Sequence, residues 1–286
     1  MTKIYGNMIK LAIQKDGRLT AETLDFLWKA GLDFEVSKQR LLSTCRNFPL
    51  EIYFIRDDDI PNYIGSKIVD LGIIGQNILF EKRPKVKKLL NLRYCFCSLV
   101  VAVPKDSNIK TVSDLNSLRV ATSYPESAKI FFDKYNLKVS IVTINGSVEI
   151  APNLGFADAI VDLSSSGSTL AMQELRVVSN IFDSEAVLIA DPLYLKSPKS
   201  GLVEQLISRF KSVLSAKQYK LVIINSAQNI LPKLYKFFPY LKRNQLSKSV
   251  NIQTVIKEDL LWESIPRLKK LGVKDIYILP IEKIIS

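Results

Sequence analysis

Residues Ala157–Leu170 read ADAIVDLSSSGSTL. The run AIVDL has the length and β-branched content of a buried strand, and it passes directly into serines and a glycine, then into the helical pattern TLAMQEL. Strand, polar turn and helix in that order gather backbone amides and hydroxyls at a helix N-terminus just beyond a strand's carboxyl end, where phosphates bind. Gly167 permits close backbone approach, and Ser164, Ser165, Ser166, Ser168 and Thr169 supply hydroxyls, with Leu170 closing the turn. Asp158 and Asp162 offer carboxylates for sugar hydroxyls or a magnesium shell. An ordinary capped loop accounts for one hydroxyl but not for five around a glycine, so the pattern favours an anion cradle.

Outward from this stretch, short apolar runs alternate with helical patterns, which predicts an α/β fold with a mostly parallel sheet. Strands are expected at Ile9–Ile13, Glu51–Ile55, Leu71–Ile74, Leu99–Val103, Arg119–Ala121, Ser140–Ile144, Ala159–Leu163 and Ala186–Ala190. One helix is expected from near Thr20 to a stop at Gly31, using Leu24, Leu27 and Trp28, and another from near Ser123, using Ala128, Phe131 and Phe132. DPLYLKSPKSG, Asp191–Gly201, reads as a connection to a terminal unit. After a helix from Leu202 to about Ala216, that unit runs strand (Lys220–Ile224), helix (about Asn229–Phe238), strand (Val250–Ile256), helix (Asp259–Leu271) and strand (Asp275–Leu279). A split αβ layer follows if a weak strand lies near Leu241–Leu246. The last helix is expected to bury Leu260, Leu261, Ile265 and Leu268, with Gly272 as its stop.

Composition narrows the chemistry. The 286 residues contain no histidine, which removes histidine bases, Ser-His and Cys-His nucleophiles and histidine metal sites. Cys45, Cys95 and Cys97 form neither an even disulfide framework nor a zinc set, and MTKIYGNMIKLAIQ is interrupted by Lys3, Asn7 and Lys10, so a cytoplasmic protein without a leader is expected. Apolar runs are too short for a membrane span, so no membrane partner is expected. The net charge of +12 is spread through KRPKVKK, SPKSG, LPKLYK and RLKKLG without aromatic interleaving, which disfavours nucleic acid and suits small phosphorylated substrates.

Further stretches carry their own physical content. In QKDGRL, Lys15 and Arg18 flank Gly17 where a strand gives way to a helix, a place for an anion or equally a solvated turn. Arg40 and Arg56 present planar donor forks suited to an anionic ligand. The acids Asp57, Asp58 and Asp59 precede Pro61, a pattern that favours helix capping over a metal site. In NGSVEIAP, Ser147 is expected to cap a short helix carrying Glu149.

DAIVDLSSSGSTL resembles the phosphoribosyl pyrophosphate loop of the ATP phosphoribosyltransferase family. LAIQKDGRL, IRDDDIP, VDLGIIGQN, ATSYP, NGSVEIAP and the closing WESIPRLKKLGVKDIYILPIEKII also resemble segments of that family, in the same order along the chain and nearly end to end. The closing segment is similar to the long form, whose extra domain is regulatory. Two departures stand out: Cys95 in YCFCSL occupies a position where glycine is typical, and LKRNQLSKS lacks the Pro-rich apolar segment usual there.

The resemblance implies a two-lobed catalytic core like type II periplasmic binding proteins, plus a C-terminal ferredoxin-like α+β regulatory domain. Residues 1–102 with about 185–212 would form one lobe, 103–184 the second, and 218–286 the regulatory domain. It implies a pentosyltransferase that moves phosphoribosyl from phosphoribosyl pyrophosphate to N1 of ATP with Mg²⁺, the first step of histidine biosynthesis. Lys15, Arg40 and Arg56 would serve the reacting phosphates, and Glu149 and Asp162 the ribose hydroxyls. Asp158, Ser164, Ser165, Ser166, Gly167, Ser168, Thr169 and Leu170 would hold phosphoribosyl pyrophosphate, while Arg18, Asp70, Leu71 and Cys97 would line the ATP pocket. Mg²⁺ would be held mainly through substrate phosphates. Histidine and AMP are implied as inhibitors, with histidine feedback open between retained and lost, and a dimeric or hexameric homo-oligomer is implied with lobes that close over substrate. Three rivals remain: a solute-binding protein of the same architecture, a nucleic-acid binder, and a phosphoribosyltransferase acting on another base.

Overall fold

Apolar runs long enough to be buried on both faces become the central strands of two sheets, and the amphipathic stretches between them cover those sheets. The computed structural model describes residues 8–36, 41–165, 167–227, 242–244 and 249–285. From its start the chain forms β1 (Ile9–Gln14), α1 (Arg18–Lys29), β2 (Leu42–Thr44), β3 (Leu50–Ile55), α2 (Ile60–Gly65), β4 (Leu71–Gly75), α3 (Gln76–Lys82) and β5 (Lys87–Asn91). It then builds β6 (Cys97–Pro104), β7 (Arg119–Thr122), α4 (Pro125–Lys134), β8 (Ser140–Thr143), β9 (Ala159–Ser164), α5 (Ser168–Met172) and β10 (Leu175–Ser184) before returning through β11 (Ala186–Ala190). The remainder is α6 (Ser200–Ala216), β12 (Tyr219–Ala227), β13 (Lys242–Asn244), β14 (Ser249–Lys257), α7 (Glu258–Lys270) and β15 (Asp275–Pro280).

The first sheet has the order β2-β3-β1-β4-β11-β5 and the second β10-β6-β9-β7-β8, so each lobe joins a set of parallel strands to antiparallel ones. Strands β3, β1 and β4 are parallel, as are β9, β7 and β8, while β2, β5, β6, β10 and β11 pair antiparallel. The expected mostly parallel sheet is thus two mixed sheets. The strands missing from the sequence reading are short or irregular: β5 is a lysine-bearing edge strand, and β10 is broken by two register shifts that blur its alternation. The lobe boundary falls at Cys97 rather than Val103, because all of β6 pairs in the second sheet.

Close packing constrains the first lobe. Ile60 and Ile64 of α2 are fully buried against β4, and a Cβ on Gly72 would come within 2.4 Å of Ile60 Cγ2. A glycine is required there for the helix to lie on the strand. In the second lobe, Leu99, Val101, Val120, Phe132, Ala159 and Val161 form one core between sheet and α4.

By contact the chain separates into two compact units, Met1–Asp25 with Leu32–Val203, and Phe26–Gly31 with Glu204–Ser286. Both lobes lie in the first unit. In the second, the sheet β13-β14-β12-β15 is wholly antiparallel. Numbered within the unit, that order is 4-1-3-2 read from β15, the order of a ferredoxin-like layer. β13 is the weak strand expected near Leu241–Leu246, and the helix expected at about Asn229–Phe238 lies outside the described residues. Leu261 and Leu268 of α7 are buried on Val222, Ile224, Ile252 and Ile256, with Ile265 packed alongside. Leu260 is 49% exposed and does not join them, because it sits one step around the helix from Leu261. Gly272, at φ +86, ends the helix as expected, and the Val273 amide donates to the Leu268 carbonyl. None of the described helices is long and apolar enough to cross a membrane.

Candidate active site

In open α/β sheets, ligands meet the carboxyl ends of parallel strands, and both lobes converge their polar residues there. On the first lobe, β1 and β3 end in register, Gln14 beside Ile55, so Lys15 and Arg56 leave adjoining strands side by side. The Lys15 amide donates to the Ile55 carbonyl at 2.8 Å, and the Thr20 hydroxyl donates to the Gln14 carbonyl at 2.9 Å, which fixes the Lys15–Gly17 turn. Gly17 adopts φ +117, a conformation that disfavours any side chain.

After Arg56, residues Asp57–Asp59 form a single 3-10 turn ahead of α2. They do not cap it: neither helix start has a side-chain cap bond. Instead the Gln14 amide donates to Asp57 at 3.3 Å, and burial together with the neighbouring Asp58 pushes the Asp57 carboxyl above its ordinary range. Asp57 is half-buried at the strand end and accepts the Asp58 amide at 3.1 Å within the turn, so the acids occupy the first turn without capping α2.

On the second lobe, β9 delivers Asp162 and the serine turn. Burial, opposed by the Leu163 amide but reinforced by the nearby Glu149 carboxylate, pushes Asp162 up to about 6. Glu149 belongs to a 3-10 turn, Val148–Ile150, and Ser147 ahead of it takes a left-handed φ of +51 without the expected side-chain cap bond. Ser164 ends β9, Ser165 is exposed, Gly167 has φ +71, and α5 begins at Ser168 and carries Thr169 and the buried Leu170. Ser166 and Arg40 lie outside the described residues.

Tyr124, at the end of β7, is the residue that sequence reasoning missed. Its phenol is held well above the ordinary tyrosine range, by burial first and then by the carboxylates of Asp162, Asp57 and Asp58. Asp162 comes from one lobe and Asp57 and Asp58 from the other, so Tyr124 marks where the two polar edges face each other. The available signal was ATSYP itself, a strand running into a proline-started helix at the same edge as the serine turn. Its hydroxyls fasten the turn: Thr122 donates to the Val161 carbonyl at 2.7 Å, and Ser123 donates to the Ile144 carbonyl at 2.6 Å.

Arg18 and Cys97 also reach this region. Arg18 donates to Glu22 at 3.0 Å, and Glu22 accepts the Cys95 amide at 3.0 Å. Cys95 keeps the left-handed turn at φ +51 that its glycine counterpart would adopt freely. Burial, then Glu22, push its thiol up to about 12, so it is a structural rather than a nucleophilic cysteine. Burial also raises the thiol of Cys97.

Three expected residues lie elsewhere. Asp158 sits at the amino end of β9, accepting the Arg119 amide at 2.8 Å, which together with the guanidinium holds its carboxyl below the usual range. It is about 20 Å along the strand from the serine turn, six residues at the extended rise. Asp70 and Leu71 likewise occupy the amino end of β4, where Asp70 accepts the Lys10 amide at 2.8 Å and pairs with Lys199 at 2.8 Å. A parallel strand displays its two ends on opposite edges of the sheet, so these acids face away from Lys15 and Arg56. Among the described residues no cluster of three or more acids and cysteines could hold a metal alone.

The family profile described as ATP phosphoribosyltransferase matches residues 56–212, and that of the C-terminal domain of the same family matches residues 216–283. Similar proteins include the ATP phosphoribosyltransferase of Cytophaga hutchinsonii, 37% identical over 284 residues, covering 98% of this chain and 99% of the relative. That of Parabacteroides distasonis is 38% identical over 283 residues, covering 97% and 100%. Among solved structures, a chain of the ATP phosphoribosyl transferase (HisG:HisZ) complex from Thermotoga maritima matches with TM-score 0.61 and 26% identity, covering 71% of this chain and 99% of that one. The arginine-bound protein Tv2483 matches with TM-score 0.50 and 13% identity, covering 72% and 85%, a likeness of fold alone.

Proposed function

Because the chain belongs to the ATP phosphoribosyltransferase family, we propose that it joins ATP to phosphoribosyl pyrophosphate at the first step of histidine biosynthesis. The lone pair of adenine N1 forms the bond to ribose C1, and the electron pair of the breaking C1–O bond leaves with pyrophosphate. Such a displacement needs two anionic substrates held in line and charge stabilised on the leaving group, not a histidine base. The observation that carries this reading is the half-buried Asp162 carboxylate at the end of β9, pushed up to about 6 with Glu149 nearby, next to a hydroxyl-rich turn.

Asp162 and Glu149 would accept hydrogen bonds from the ribose hydroxyls, with the turn from Ser164 to Thr169 around the 5′-phosphate. Lys15 and Arg56 would meet the pyrophosphate, Arg56 through its planar fork. Arg18 and Cys97 would border the adenine nucleotide.

Mg²⁺ would be carried in mainly by substrate phosphates, with Asp162 and Glu149 the carboxylates available to its shell. When bound, that ion would neutralise charge on the leaving pyrophosphate. Ionised Asp162 makes the stronger acceptor, so substrate binding should improve as pH rises through about 6. The second unit, with its ferredoxin-like strand order, supports a regulatory domain responding to histidine, and a cytoplasmic homo-oligomer is in keeping with the family.

The test is a steady-state assay with ATP, phosphoribosyl pyrophosphate and Mg²⁺, following phosphoribosyl-ATP absorbance with and without histidine. Product dependent on both substrates is expected. No product from folded protein would overturn the transferase, and product insensitive to histidine would detach feedback control from this chain.

A further inference from the structure

Helix α4 begins without a cap of its own. Its N-cap residue, Tyr124, makes no side-chain cap bond, and Pro125 follows with no N–H to donate. The Ala128 amide already bonds within the helix, to the Tyr124 carbonyl at 3.0 Å. The amides of Glu126 and Ser127 are left to be satisfied, and both donate to one carboxylate: Glu81, at 3.0 Å and 2.9 Å. Glu81 lies on α3, in the other lobe, and is only 9% exposed.

We propose that Glu81 is a positioning residue that ties the lobes together. It completes α4 from the opposite lobe and thereby fixes the start of that helix, with Tyr124 immediately ahead of it. Three observations converge on this assignment. A buried carboxylate is retained at a cost only when it is fully hydrogen-bonded, and its two oxygens each take one amide. A helix N-terminus carries partial positive charge, so the bond is charge-assisted. The rings of Phe80, next to Glu81, and Phe182 of the second lobe meet at 4.4 Å between centroids, a second contact across the same seam.

The arrangement gives α4 an N-terminus that is already filled. Substrate phosphates are thereby left to the serine turn and α5, where the proposed reaction needs them. Because the cap comes from the opposite lobe, this contact couples the packing of the two lobes to the start of α4.

The test compares wild type with Glu81→Gln and Glu81→Ala. Glutamine keeps the size and one acceptor but turns an N–H₂ toward an amide, while alanine removes both acceptors and leaves room for a free carboxylate, so the acetate arm is read in alanine and the others in both. Expected is a rise of about tenfold in hydrogen exchange at the Glu126 and Ser127 amides, the scale of losing one helix cap. The KM of both substrates should rise about tenfold while kcat changes by less than about threefold, and added acetate should not restore KM, since a free anion can cap the helix but cannot link the lobes. Unchanged exchange and KM in folded Glu81→Gln would overturn the proposal. Full recovery of KM with acetate would also overturn it, reducing Glu81 to a simple cap. The exchange arm needs no turnover, so it answers even if the transferase reading fails.

Discussion

The two edges of the parallel strands treat the same residue type in opposite ways. At the amino edge, Asp158 and Asp70 each take a backbone amide and a cation, Arg119 and Lys199 respectively, and the Asp158 carboxyl is held low. At the carboxyl edge, Asp57 and Asp162 are half-buried near other acids, and desolvation pushes both up. Acids of the first kind serve the fold. Acids of the second kind are held at an energetic disadvantage that a ligand's hydroxyls or cation can relieve, the usual sign of a site.

The largest effect that would sharpen this contrast is expected at Asp162. In the folded chain it keeps its proton to higher pH than the ordinary value of 3.8, so stability falls as pH rises from about 4 to about 6 and is level above. That span is on the order of 3 kcal/mol. Asp162→Asn should therefore lower kcat/KM for phosphoribosyl pyrophosphate by about 10²-fold while raising urea stability at pH 7.5. Lost activity with lost stability would place Asp162 with the structural acids.

Next in size, Arg56→Lys keeps the charge but loses the fork, and kcat should fall by roughly tenfold or more. The wild-type pH profile comes third: kcat/KM should climb through about pH 6, with the limb absent in Asp162→Asn. A profile flat from pH 5 to 7 would break the link between Asp162 and binding. Smallest are the amino-edge changes. Asp158→Asn should cost about 1 kcal/mol at most, since its partner Arg119 is solvent-exposed, and should leave kinetics unchanged. Asp70→Asn should leave the KM of ATP within about twofold of wild type; a large rise would return Asp70 to the nucleotide pocket.

The strands with uninterrupted apolar runs, β4 and β11, were legible because burial on both faces writes itself into composition. The serine turn was legible because a cradle needs its hydroxyls and glycine contiguous. Strands β2, β5 and β10 were not, since a short or edge strand borrows its bonds from a neighbour distant in sequence and needs no pattern of its own. Asp158 and Asp162 looked equivalent in ADAIVDL, yet one residue precedes the strand and the other lies near its end.

By itself, then, the sequence determined the α/β class, the terminal unit, the absence of histidine chemistry and the family, all carried by local periodicity, composition or contiguous motifs. Only the tertiary structure decided which acids share the cleft, that Tyr124 joins them, and that Glu81 completes a helix 45 residues away. Those relations depend on strand direction and on the packing of distant segments, and neither leaves a trace in any short window of residues.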